Sequence, residues 1–176
     1  WDGYSNNFQF TSYHWVNTVM AENVDFRNCV LYNWGNGNGC YGGPGGGQIN
    51  IINNYYKAGP ATKNTRRVTE ISVGEAGNST TGDMVGMASR YYIRGNFVEA
   101  VGTKAQNYDW SGVTFDKGVQ LIDGEHYTLD GADYYQGVPH KTYNGRQYVP
   151  IKLTAPIASG DITTHSAEKA YRKVLA

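Results

Sequence analysis

Three short stretches of this sequence share one grammar: Val24-Asp25-Phe26-Arg27-Asn28-Cys29-Val30-Leu31-Tyr32, Ile49-Asn50-Ile51-Ile52-Asn53-Asn54-Tyr55-Tyr56 and Tyr91-Tyr92-Ile93-Arg94-Gly95-Asn96-Phe97-Val98. Each reads as a short strand that runs into a turn. Aligning Phe26, Ile51 and Ile93 also aligns Cys29, Asn54 and Asn96, with spacings of 25 and then 42 residues. One near-constant period with a longer interval fits a stacked repeat with a loop inserted between two copies. An apolar side chain repeated at one position of every copy can stack on its counterpart and build a core that a single copy could not bury. Asparagines at the turn tolerate a left-handed backbone, and stacked amides can hydrogen-bond one another in a ladder that Cys29 interrupts. Antiparallel hairpins with Asn-rich turns are the competing arrangement.

Composition agrees with a β architecture. Glycine (23) and tyrosine (15) exceed ordinary usage among the 176 residues, which suits turn-rich strands with aromatic surfaces, so the fold class is read as all-β. Lys+Arg and Asp+Glu both number 15, so no net positive charge argues for nucleic acid or an anionic membrane as partner. No apolar run reaches membrane-spanning length. Cys29 and Cys40 are the only cysteines, too few for a disulfide framework and without zinc-ligand spacing. They are read as two small thiols in preference to a disulfide.

The ends carry their own expectations. Trp1 opens the chain without a leader and reads as internal. Ala167, Ala170, Tyr171, Val174 and Leu175 keep helical spacing up to the last residue, behind the capping hydroxyls of Thr163, Thr164 and Ser166, which predicts a closing helix. Between the repeats, the glycine-rich run from 35 to 47 lacks the Lys-Ser/Thr ending of a phosphate loop and is read as tight turns. Asp123-Gly124-Glu125-His126, Asp130-Gly131-Ala132-Asp133 and Tyr143-Asn144-Gly145-Arg146 read as successive hairpin or loop turns. The expected organisation is therefore 1–100 repeat coils, 101–160 a loop-and-hairpin excursion, and 161–176 the helix.

On these residues the chain resembles polysaccharide lyase family 1, the pectate lyases, in particular the bacterial branch that degrades plant pectin. The stretches that carry the resemblance are VDFRNCVLYNWG at 24–35, YGG at 41–43, INIINNYYKAGPAT at 49–62, YYIRGNFVE at 91–99 and ITTHSAEKAYRKVL at 162–175. They cover a little under half of the chain in the family's order, and the block at 49–62 is the most specific. The resemblance implies a right-handed parallel β-helix with a cleft along one sheet. It implies calcium-assisted β-elimination of polygalacturonate, an acidic plant polysaccharide, by a secreted or cell-envelope monomer. Removing the proton at C5 builds negative charge beside the uronate carboxylate, which a metal and cationic side chains stabilise. The family's arginine base lies in an Arg-x-Pro-x-x-Arg-like segment, and this chain has no Arg-x-Pro. Its order places that segment and the calcium aspartates before Trp1, so the chain by itself is expected to lack catalysis and catalytic calcium.

Some cleft residues are expected to remain. By position in the resemblance, residues 41–46 form the cleft-facing strand and turn of one coil and residues 66–69 that of the next. Tyr41, Arg66, Arg67 and Lys57 are the substrate-binding candidates, because guanidinium matches a uronate carboxylate in a bidentate pair. Pro44 stands where many members carry a charged side chain. His14, His126, His140 and His165 lack metal-ligand spacing, the acids from 123 to 133 lack the EF-hand pattern, and Asn78-Ser79-Thr80 is a glycosylation sequon without a bacterial role. A non-catalytic polysaccharide-binding solenoid needs only aromatic and cationic cleft residues. A β-helix glycoside hydrolase needs paired carboxylates, and the repeats contribute only Asp25 and Glu99.

Overall fold

The computed structural model describes residues 9–10, 23–35, 40–42, 47–72, 88–102, 108–115, 119, 126–128, 141–143 and 146–176, with only the backbone described at 9–10, 41–42, 126–128, 141–143 and 146–149. His14, Pro44, most of the glycine-rich run, the sequon at Asn78, the acids from Asp123 to Asp133 and His140 lie outside the described residues.

The architecture is largely β. In chain order the strands are β1 (Gln9–Phe10), β2 (Asn23–Arg27), β3 (Val30–Tyr32), β4 (Tyr41–Gly42), β5 (Gln48–Ile52), β6 (Tyr55–Lys57), β7 (Thr69–Ile71), β8 (Arg90–Arg94), β9 (Phe97–Val98), β10 (Val113–Phe115), β11 (His126–Thr128), β12 (Lys141–Tyr143) and β13 (Arg146–Pro150). One helix, α1 (Ala167–Leu175), follows. Strands β1–β10 form three small parallel sheets, ordered β1-β4-β7-β10, β2-β5-β8 and β3-β6-β9. The chain thus visits three sheets in turn, then returns to each one strand further along. The fourth sheet is antiparallel, with β13 paired to β11 and to β12, where Tyr143 stands opposite Arg146.

The repeat grammar is realised in register. Phe26 pairs with Ile51 and Ile51 with Ile93, all three buried, and Leu31, Tyr56 and Val98 form a second buried row on β3, β6 and β9. A two-residue turn joins each strand of the β2-β5-β8 sheet to the strand of the β3-β6-β9 sheet that follows it. Its first residue takes the left-handed backbone: Asn28 and Asn53 at φ 53°, and Gly95 at φ 72°. Its second residue, Cys29, Asn54 or Asn96, points along the stack. Asn54 Oδ1 accepts the Cys29 N–H at 2.9 Å, and Asn96 Oδ1 accepts the Asn54 N–H at 3.0 Å and Asn54 Nδ2 at 3.1 Å. The Asn54 and Asn96 amides donate inward to the carbonyls of Phe26 and Ile51. The ladder expected from the sequence is therefore present, with the two jobs of the turn divided between neighbouring residues. Both cysteines are free thiols, and burial pushes the Cys40 thiol up, so it stays protonated among its apolar neighbours.

Two parts of the 101–160 stretch rejoin the repeat. Strand β10 extends the first sheet beside β7, and Lys152 bridges Tyr91 in parallel, with Tyr91 N–H donating to Ile151 O at 2.8 Å and Leu153 N–H to Tyr91 O at 2.7 Å. The driving force is the edge of β7 and β8, whose backbone groups need partners wherever they are buried. From there the chain runs back over the outward row of β2 and β5. Asn50, fully buried, donates to Ile157 O and accepts from Ile157 N–H; Arg27 reaches Ser159 and Thr164, and Asn28 exchanges two hydrogen bonds with the His165 backbone. This strap delivers α1, capped by Ser166, onto β6, where Tyr171 stacks on Tyr55 at 4.2 Å and Tyr55 on Phe97 at 4.9 Å. Asn50→Ala removes both clamps on Ile157 and is expected to cost about 1 to 2 kcal/mol. Limited proteolysis should show faster cleavage between 153 and 166, and an unchanged pattern would contradict the clamp.

Candidate functional site

The sheet β1-β4-β7-β10 carries a concave feature of the described surface. Residues 63–67 form the turn that enters β7, and residues 108–112 the segment that enters β10. Because β7 and β10 are neighbours in parallel register, their two entry segments stand side by side. Between them lies a cleft of about 330 Å³ lined by Lys63, Asn64, Thr65, Arg66 and Arg67 on one side and by Tyr108, Ser111, Gly112 and Thr114 on the other. Val68 N–H donates to Gly112 O at 2.8 Å and ties the two sides together at the floor. Gly112 has no room for a Cβ, which would press on Val68 and the Tyr108 ring.

The charge of the cleft is one-sided, since three of its lining residues are cations and none is a carboxylate. The cations differ. Arg67 is half-buried and its guanidinium forms an ion pair with Glu70, whose other neighbour is the Thr114 hydroxyl at 3.3 Å. Arg66 and Lys63 are exposed, and no ion pair among the described residues involves either. Among the described residues, Arg66 and Lys63 thus have no carboxylate partner for an incoming anion to displace, whereas Arg67 is shared with Glu70.

The four sequence-derived candidates separate. Arg66 and Arg67 come together in the cleft, in the turn before β7 and not within the strand. Tyr41 lies on β4 in register with Glu70, one strand away. Lys57 lies elsewhere: on β6, its ammonium is 2.8 Å from Glu99 and stands 5.6 Å from the Tyr171 ring centre, and the Glu99 hydrogen bond holds its pKa above the ordinary lysine value. It helps seat α1 on the third sheet. Asp25 and Glu99 do not form a carboxylate pair, since Asp25 meets Arg27 at 2.7 Å and Asn50 at 3.1 Å while Glu99 meets Lys57.

The sequence reading missed Lys63, Tyr108, Ser111 and Thr114. A signal for the far side existed: Val113 and Phe115 flank Thr114 in strand alternation, and Thr114 follows Glu70 by 44 residues, close to the 42 that separate Asn54 from Asn96. The calcium that the resemblance implies has its ligands expected before Trp1. Among the described residues no three His, Cys, Asp or Glu side chains gather around one point, and Asp25, Glu70, Glu99 and Asp109 each face a cation or an amide. No step is therefore derived through the ion. No family model, curated protein or solved structure matches this chain. Among the described residues no helix is long and apolar enough to cross a membrane.

Proposed function

We propose that this chain is part of a secreted, right-handed parallel β-helix protein of the pectate lyase type, and that its cleft binds an acidic polysaccharide of the polygalacturonate kind. The observation that carries the reading is the cleft itself, in which Lys63, Arg66 and Arg67 face Tyr108 and the hydroxyls of Ser111 and Thr114 with no lining carboxylate. A uronate chain presents one carboxylate and several hydroxyls per sugar. Guanidinium and ammonium groups pair with the first, hydroxyl side chains serve the second, and an aromatic ring packs against a sugar face. Support for the helical coil comes from strands that return to three parallel sheets in strict rotation and from the handedness that parallel crossovers prefer.

In the proposed lyase the protein removes the C5 proton, for which a base must stand within hydrogen-bond reach. Arg66 and Arg67 are assigned to holding the uronate and not to that step. A non-catalytic polysaccharide-binding helix is the second reading, favoured because the cleft residues supply cations and hydroxyls without an acid-base pair.

Incubating the intact parent protein, with the residues expected before Trp1 in place, with polygalacturonate and calcium separates the readings when both retention on the immobilised polymer and ultraviolet absorbance of the unsaturated product are followed. Retention with rising absorbance supports the lyase, and retention without absorbance supports the binding module. No retention at low ionic strength, where surface charges are least screened, rejects both.

A further inference from the structure

The asparagine ladder does not end at Asn96. Within the ladder each amide oxygen accepts the backbone N–H of the turn before it, so Asn96 N–H needs an acceptor one turn further along, where the described residues 108–112 include no asparagine. Asp109 supplies it. Its Oδ1 accepts the Asn96 N–H at 3.2 Å and stands 3.4 Å from Asn96 Nδ2, repeating the contacts that Asn96 Oδ1 makes with Asn54. A group that only accepts suits a place where only donors converge.

Asp109 also opens the cleft's far side. Tyr108 precedes it, and Trp110–Gly112 form a single 3-10 turn after it, closed by Gly112 N–H donating to Asp109 O at 3.1 Å. The far end of that turn is fastened to Val68 through Gly112 O. The segment that brings Tyr108 and Ser111 to the cleft is thus held at two points: Gly112 on the β7 side and Asp109 on the ladder.

We propose that Asp109 is a positioning residue that hangs this wall of the cleft on the last rung of the asparagine ladder and so fixes the placement of Tyr108 and Ser111 opposite Lys63 and Arg66. The asparagine stack, none of whose members lines the cleft, thereby sets the geometry of the cleft. Burial pushes the Asp109 carboxyl up while the hydrogen bonds from Asn96 and Gly95 and the charge of Arg94 pull it down. The Asn96 amide makes the same pair of contacts one rung earlier, so an amide with its oxygen at this place is expected to serve the anchoring as the carboxylate does. The effect on ligand affinity rests on the polysaccharide reading of the cleft, but the anchoring does not.

The test compares D109A, D109N and D109E in the whole chain, with amide hydrogen exchange and the affinity for oligogalacturonate as readouts. D109A should speed exchange of the Asn96 and Gly112 amides by about tenfold while Ile51 keeps its protection, and should weaken binding by about fivefold. D109N, whose Oδ1 stands at the same place, should restore both. D109E keeps the charge but displaces the acceptor by a methylene, so it should resemble D109A and takes over the test should D109A not fold. Wild-type exchange in D109A, or D109N as defective as D109A, overturns the proposal. Absence of binding by the wild type refutes the polysaccharide reading, and the exchange data still decide whether Asp109 anchors the wall.

Discussion

Replacing Asn54 by alanine is expected to lower the stability of the protein by roughly 3 to 5 kcal/mol, the largest loss for any single turn residue. Asn54 is fully buried, and its side chain serves three partners at once: Cys29 N–H, Phe26 O and Asn96 Oδ1. Alanine removes the bond to a part-buried backbone donor and to a buried backbone acceptor, at roughly 1 to 3 kcal/mol for each unsatisfied group. The backbone conformation itself is not at stake, because the left-handed residue of that turn is Asn53. Asn53→Gly, which keeps φ positive without strain, should therefore cost far less than Asn54→Ala. Urea denaturation of the two variants decides the matter. A loss below about 1 kcal/mol at Asn54 would mean that its hydrogen bonds are replaced locally and that the ladder is not what holds the turns together.

The second large effect concerns the cleft, where two neighbouring charge changes should move affinity in opposite directions. On the proposed polysaccharide reading, Arg66→Ala should weaken binding of oligogalacturonate about tenfold, because it removes an exposed guanidinium able to form a charge-assisted pair with a uronate carboxylate. Glu70→Gln should strengthen binding by about threefold, since it removes the negative charge paired with Arg67 and leaves an amide oxygen to accept from Thr114. Both shifts should shrink as salt is raised, through the screening of partly exposed charges. Titration calorimetry at two ionic strengths checks the signs. If Glu70→Gln weakens binding, the carboxylate is orienting Arg67 for the ligand and not competing for it. If Arg66→Ala leaves affinity unchanged, the cleft does not recognise anions through its exposed face.

What was legible in the sequence is what repeats. The rows Phe26, Ile51, Ile93 and Asn54, Asn96 could be read because a stack places like residues at like positions, so a spacing along the chain becomes a contact in space. The closing helix was legible for the related reason that its period is local, with Ser166 as its cap and Ala167 and Ala170 on its buried side. Its last apolar residues, Val174 and Leu175, keep the spacing yet stay exposed, since periodicity marks a face and not what covers it. Arg66 and Arg67 were reached on other terms, as cations where the resemblance places a cleft-facing strand and turn, while Tyr108, Ser111 and Thr114 sat in a stretch read as leaving the repeat.

Everything that depends on a non-repeating meeting was decided by the tertiary structure alone. Asp109 takes the place of a missing asparagine from 13 residues further along, and only the end of the stack makes an acceptor necessary there. Arg27 and Asn28 find Thr164 and His165 across 137 residues, and Asn50 finds Ile157 across 107, because the strap needs hydrogen-bond partners over a sheet face that the repeat leaves polar. Lys57 and Arg66 are both cations beside repeat strands, but one faces the helix and Glu99 and the other faces the cleft. A residue type states which interactions a side chain is able to make, and its neighbours in space determine which of them it does make.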